Sequence, residues 1–175
     1  MEPDPIISTD AILRWSYDVG IFGFMNSKWG WPTVESVHFI GLALLMGCVG
    51  AFDLRMIGVA RGLSMQALHR LVPFGVLGFA MNAGSGFLFF TAAPAQYLYN
   101  PAFQLKALSI LIAGINMMLF YATTARAVRA LGPEDDAPLA AKIIAGVSLA
   151  SWVGVITFGR LLTFFRPPYH WCFWC

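Results

Sequence analysis

The chain has 175 residues, of which 58% are hydrophobic and 11% charged, with mean hydropathy +0.69 and a formal net charge of +2. A soluble domain carries about 25% charged residues. A water-facing surface cannot be built from this composition, so the surrounding solvent is expected to be largely lipid. The basic residues are few and scattered, which argues against a nucleic-acid partner, and the length fits a single transmembrane domain over residues 1–175.

The opening stretch, MEPDPIISTD, is acidic and proline-bearing without a basic n-region, so no cleavable signal peptide is expected. Residues 8–27 follow as a predicted helix. Ser8, Thr9 and Asp10 are helix-capping types. Asp10, Arg14 and Asp18 recur at i, i+4, i+8 and make one polar stripe, spaced for ion pairs. The remainder is aromatic and aliphatic. That pattern predicts an amphipathic helix lying in the membrane interface. The alternative, a short fifth span, would bury three charges. Trp29, Trp31 and Pro32 then form an aromatic, kinked entry to the first span.

Four spans are predicted in chain order, at residues 34–59, 71–94, 101–125 and 139–165. The first carries Glu35, His38, Asp53 and Arg55; the third is interrupted only by Lys106, and the fourth carries Arg160 near its end. Each exceeds an ordinary buried helix, and together they predict an all-α, four-helix bundle. Strict alternation is absent, which excludes a β-barrel. Small residues repeat at four-residue spacing in Gly78, Asn82 and Gly86 on the second span and in Gly146, Ala150 and Gly154 on the fourth. Such stripes let helix backbones approach in lipid. Asn82 and Asn116 are expected to bond between helices, and Cys48 to act as a small packing residue.

Lys and Arg set the expected orientation. The 1–2 connection holds Arg55, Arg61 and Arg70, and the 3–4 connection Arg126, Arg129 and Lys142, which makes six. Arg14, Lys28 and Arg166 make three on the other side. The bias predicts cytoplasmic connections and periplasmic termini in a bacterial inner membrane.

With that topology the ionisable groups fall into two tiers. Glu35, His38, Lys106 and Arg160 lie in the outer third, Glu35 and His38 being i, i+3 on one helical face. Asp53, Arg55, His69 and Arg70 collect at the cytoplasmic end. For the inner tier a structural role is expected: the arginines snorkel to headgroups and Asp53 pairs with one of them. Ionisable groups inside a span cost about 2.5–3.5 kcal/mol each on insertion scales and usually face the bundle interior. The outer tier therefore either forms a satisfied network or holds an anionic group, such as a haem propionate or a quinone oxygen. His38 is the candidate ligand to haem iron, with Glu35, Lys106 and Arg160 as candidate cofactor contacts. His69 lies about 25–30 Å away by helix rise and cannot share that iron. A second ligand for His38 would be His170, a Met or a residue of a partner chain.

The chain closes with RPPYHWCFWC, in which His170, Cys172 and Cys175 make H-x-C-x-x-C. Thiolates with imidazole suit Cu(I) or Zn. The interleaved Tyr169, Trp171, Phe173 and Trp174 equally suit an interfacial aromatic anchor. No nucleophile elbow, P-loop or H-E-x-x-H is present, and the E-x-x-H at Glu35–His38 lacks the second copy and further Glu that a di-iron helix bundle needs.

The segments VESVHFIGLAL…DLRMIG, LHRLVPFGVLGFAMNAGSGFLFF and NPAFQLKAL, over residues 31–165, resemble an uncharacterised family of bacterial four-helix inner-membrane proteins. A fainter likeness is to HemJ-type protoporphyrinogen oxidases and CopD-type copper proteins, which share a first-span His and a third-span Lys. The HemJ-type resemblance implies b-haem and functional roles for His38, Arg55 and Lys106. The expected function is a subunit of an inner-membrane electron-transfer assembly that touches b-haem or quinone on the periplasmic side. The alternatives are a non-catalytic assembly subunit and a copper or zinc handler. Expected partners are the bilayer and other membrane subunits or further copies of the chain.

Overall fold

A computed structural model describes residues 9–59, 61–132 and 134–165. Every regular element among the described residues is helical. Four helical stretches, Gly30–Ile57, Met65–Ala92, Pro101–Arg129 and Leu139–Phe164, are long and apolar enough to cross a membrane.

The expected helix over 8–27 is broken. It forms α1, Thr9–Asp18, and α2, Ile21–Met25, separated at Gly20, whose φ of 81° lies in the left-handed region that favours glycine. Asp10, Arg14 and Asp18 are exposed and make no ion pair among the described residues, so that spacing is not used for pairing. The first long helix, α3, runs Gly30–Ile57 and stops at Gly58, which turns left-handed at φ 103° and returns its N–H to the Leu54 carbonyl at 3.1 Å. The next stretch divides into α4, Met65–His69, capped by Ser64, and α5, Val72–Ala92, with Pro73 in its first turn where no donor is missed. A short α6, Pro94–Leu98, leads to α7, Pro101–Leu119. A π-helical turn, Phe120–Thr124, joins α7 to α8, Ala125–Arg129. Finally α9, Leu139–Leu161, ends in a 3-10 turn at Leu162–Phe164.

The long helices pack in pairs, α3 along α5 and α7 along α9, and the pairs meet where α3 touches α9. Helices α5 and α7 touch only sparsely, with Phe90 stacked on Phe103 at 5.9 Å between ring centroids. The tightest crossing is glycine on glycine: a Cβ on Gly78 would sit 2.6 Å from the Gly41 carbonyl oxygen and 2.7 Å from the Leu45 nitrogen. Asn82 lies against this crossing but gives its amide to the Gly78 carbonyl on its own helix at 3.0 Å, not across to a neighbour. Asn116 does bond between helices, from Nδ2 to the Ile144 carbonyl at 2.9 Å. On α9 the buried face is Ala141, Ala145, Ser148, Ser151 and Val155. Of the small-residue stripe expected there, Gly146 and Ala150 are exposed, while Gly154 packs closely on α7, where an added Cβ would be 2.9 Å from Ser109 Oγ.

Polar groups tie helix ends together at both ends of the long helices. At the end that carries the amino-terminal helices, here the tail end, Asn100 is 1% exposed. Its Oδ1 accepts the Ala102 N–H at 3.0 Å and caps α7, while Nδ2 donates to the Leu162 and Phe165 carbonyls at 3.0 and 3.3 Å. One side chain therefore fastens the start of α7 to the end of α9. Asn100→Ala removes a cap worth about 1 kcal/mol and strands two carbonyls. We expect about 2–3 kcal/mol of lost stability, read as a lower denaturant midpoint of the detergent-solubilised protein. Asn100→Asp keeps the cap and should still lose the larger share. A loss below about 1 kcal/mol for the Ala variant would contradict this tie.

At the opposite, loop end, a second cluster joins the two connections. The Glu134 N–H donates to the Arg61 carbonyl at 3.4 Å, and Asp136 pairs with Lys142 at 2.6 Å and Arg61 at 3.6 Å. The Lys142 hydrogen bond, aided by the charges of Lys142 and Arg61, holds the exposed Asp136 carboxyl below the ordinary carboxylate range. A group whose folded pKa is depressed stabilises above its unfolded pKa and loses that contribution as pH falls through the folded value. The stability difference between wild type and Asp136→Asn should be small and constant near neutrality, then vanish below about pH 4. A difference that grows on acidification would reverse the sign.

Candidate functional site

His38 lies in the third turn of α3, with its ring against α5. Its Nδ1 is 2.7 Å from the Ser85 hydroxyl oxygen, and its ring meets Phe89 edge-on at 5.8 Å between centroids. The same hydroxyl lies 2.6 Å from the Met81 carbonyl and 3.2 Å from that of Asn82. A hydroxyl has one proton, and a carbonyl can only accept. The Ser85 proton therefore goes back to its own helix, and its oxygen accepts the proton of His38 Nδ1–H. This fixes the neutral tautomer in which Nε2 carries a lone pair. No described residue hydrogen-bonds to that nitrogen. A ring anchored through one nitrogen with the other left open is the arrangement that orients ligating histidines.

Lys106, in the second turn of α7, reaches the His38 region from the other helix pair. It lies within electrostatic range of the His38 ring. Its stem crosses α9 at Gly159, where an added Cβ would be 3.6 Å from Nζ. No carboxylate pairs with it among the described residues. Ser85 and Gly159 are contributors that spacing on a single helix does not show. Ser85 has a faint trace, since Met81, Ser85 and Phe89 repeat at i+4 on α5.

Glu35 and Arg160 stand apart from this pair. Glu35 is exposed and forms no ion pair among the described residues. Arg160 is exposed and lies over the Phe164 ring at 5.8 Å. His38 and Lys106 thus lie within electrostatic range of each other, while Glu35 and Arg160 are exposed. His170, Cys172 and Cys175 lie outside the described residues. No group of three or more His, Cys, Asp or Glu able to hold a metal occurs among the described residues.

The loop-end tier differs from the expected snorkelling. Arg55 is 0% exposed. Its Nε donates to the Leu63 carbonyl at 2.8 Å, and one Nη donates to the Gly132 and Asp135 carbonyls at 3.3 and 3.2 Å. It is a clamp between the two connections. Asp53 is also buried and pairs with no arginine; its polar neighbour is Ser148 on α9. His69 packs edge-on against Phe52 at this end, far from His38.

Set against family models, curated proteins and solved structures, the chain matches none.

Proposed function

We propose that the chain is an integral subunit of a bacterial inner-membrane electron-transfer assembly, contacting b-haem or a quinone at its tail end through His38 and Lys106. The supporting observation is the His38 ring, anchored through Nδ1 by Ser85, with no partner for Nε2 among the described residues, and Lys106, which pairs with no carboxylate among them, within electrostatic range. The bound group would supply the one-electron chemistry. The chain's own part is positional. Ser85 would hold the His38 tautomer, Nε2 would be the nitrogen available to ligate haem iron or to hydrogen-bond a quinone, and Lys106 would supply positive charge for a propionate or a quinone oxygen. A second histidine ligand, if the haem takes one, would come from His170 or from another subunit. The helices are read as a four-helix bundle, with α1 and α2 lying in the interface. The resemblance to bacterial inner-membrane proteins supports the same placement.

The visible spectrum of the purified protein and a solvent extract of it test this. A Soret band that His38→Ala abolishes and His69→Ala preserves is the haem outcome. Co-purified quinone lost in His38→Ala and Lys106→Met is the quinone outcome. Wild-type protein that carries neither overturns the proposal.

A non-catalytic assembly subunit is the second reading. It is favoured by Glu35, a carboxylate near the outer end of α3 with no partner among the described residues, which a cation of another subunit or a second copy would complete. A monodisperse protein that runs alone in mild detergent counts against it. Both readings place the termini in the periplasm. Glu2→Cys and the native Cys175 should then react with a membrane-impermeant thiol reagent in intact cells, and Glu134→Cys only after lysis. Labelling of position 134 in intact cells inverts the orientation.

A further inference from the structure

Away from the Phe90–Phe103 stack, a cavity of about 410 Å³ opens between α5 and α7 and runs in to α3 and α9. That volume suits a small organic ligand. Its wall is apolar and aromatic, with Phe52, Phe79, Phe120, Tyr121 and Trp152 all lining it. Phe79 on α5 and Tyr121 in the turn after α7 are 45% and 44% exposed, so the mouth of the cavity faces outward between these two helices. In a membrane that mouth faces lipid.

One group in this wall is out of character. Asp53 lines the cavity and is only 4% exposed, and its Oδ2 is buried with no hydrogen-bond partner. No Lys, Arg or His nitrogen among the described residues comes within 4.0 Å of its carboxylate. A buried acceptor without a donor is costly, and a buried carboxylate without a cation more so. Aromatic rings also attract positive charge through their quadrupole, and five of them line this cavity. The opening toward lipid selects for a molecule that partitions into the bilayer.

We propose that this cavity binds a lipophilic amine, a molecule with an apolar body and one protonated nitrogen, which enters between α5 and α7 and donates its N–H to Asp53 Oδ2. The apolar body would lie among the five aromatic rings, and the ammonium would supply both the missing charge and the missing donor. The site is at the loop end of the molecule, separate from His38 and Lys106, and does not depend on the reading of that pair.

The test uses the full-length protein in detergent, with 4-phenylbutylamine as the probe and 4-phenyl-1-butanol as its neutral isostere. Equilibrium dialysis should show the amine binding at least 10-fold more tightly than the alcohol. Asp53→Asn keeps the shape of the side chain and removes the charge; it should weaken the amine at least 10-fold and leave the alcohol unchanged. Gly114 lines the cavity, and a Cβ there meets nothing within 4 Å. Gly114→Leu should therefore fill the space and abolish binding of both probes. Equal binding of amine and alcohol to wild type would overturn the proposal without recourse to any variant. So would an Asp53→Asn protein, eluting as wild type, that binds the amine undiminished, or a Gly114→Leu protein that still binds it. Displacement of the amine by a neutral decyl-quinol at equal affinity would show a neutral-ligand site and also overturn it.

Discussion

Arg55→Met should lower the unfolding free energy by about 3–4 kcal/mol. The substitution keeps much of the apolar stem but leaves the Leu63, Gly132 and Asp135 carbonyls without their donor. Hydrogen bonds from a charged donor are worth about 1.5–3 kcal/mol each. Two of these three are long, so we count them low. Against the loss stands the relief of a buried charge whose second Nη has no partner, which caps the net effect. Arg55→Lys should recover less than half, because one ammonium cannot reproduce the guanidinium fork that reaches both connections. Denaturant unfolding in detergent gives the magnitude. Limited proteolysis gives the location: both connections should become cleavable together, because one side chain holds them. A loss under about 1 kcal/mol, or cleavage in the 1–2 connection alone, would refute the clamp.

Gly78→Ala should cost about 2–3 kcal/mol, although it adds a single methyl group and improves helix propensity. The new Cβ would meet backbone atoms of α3 at 2.6 and 2.7 Å, and backbone cannot turn aside as a side chain can. The α3–α5 pair would have to separate along its length. The control is Gly86→Ala on the same helix, where an added Cβ meets nothing within 4 Å. That variant should gain about 0.5–1 kcal/mol from propensity alone. Opposite signs for one chemical change two turns apart are the expected result, read from the same unfolding midpoints. Destabilisation of equal size at both positions would mean that the crossing is not where these distances put it.

The number of long helices was legible because it rests on length and composition, which do not depend on how the helices are turned. Rotation was not legible. The fourth span is apolar all round, so no stripe in it marks an inner face. Gly146, Ala150 and Gly154 and, beside them, Ala141, Ala145 and Ser148 are both small-residue stripes at helical spacing, and nothing in the helix itself ranks one above the other. The same gap affects the candidate site. Glu35 and His38 are three residues apart, yet one is exposed and the other turned to Ser85, and only the position of α5 decides which. Arg55 was legible as a cation at a span end and illegible as a clamp, because its partners are all carbonyls, which every residue has. Nothing in residues 132–135 marks them as acceptors for a side chain some eighty positions earlier.

The π-helical turn at Phe120–Thr124 bears on where the chain can change length. Before it, the buried positions of α7 run Ser109, Ala113, Asn116 and Phe120, in ordinary helical steps; at its end Thr124 and Ala125 are both buried, and the inner face continues at Val128, one position later than the 127 of an uninterrupted helix. The turn absorbs one surplus residue as a bulge and hands the rest of the helix on in phase. Removing one residue from 120–124 would convert the bulge to plain helix and leave Val128 facing the core. Removing one elsewhere in the span would turn everything beyond it by about 100°. A register slip that would be ruinous in the first two turns of α7 is thus harmless here. This short stretch is the natural joint at which related chains would differ by a single-residue insertion or deletion.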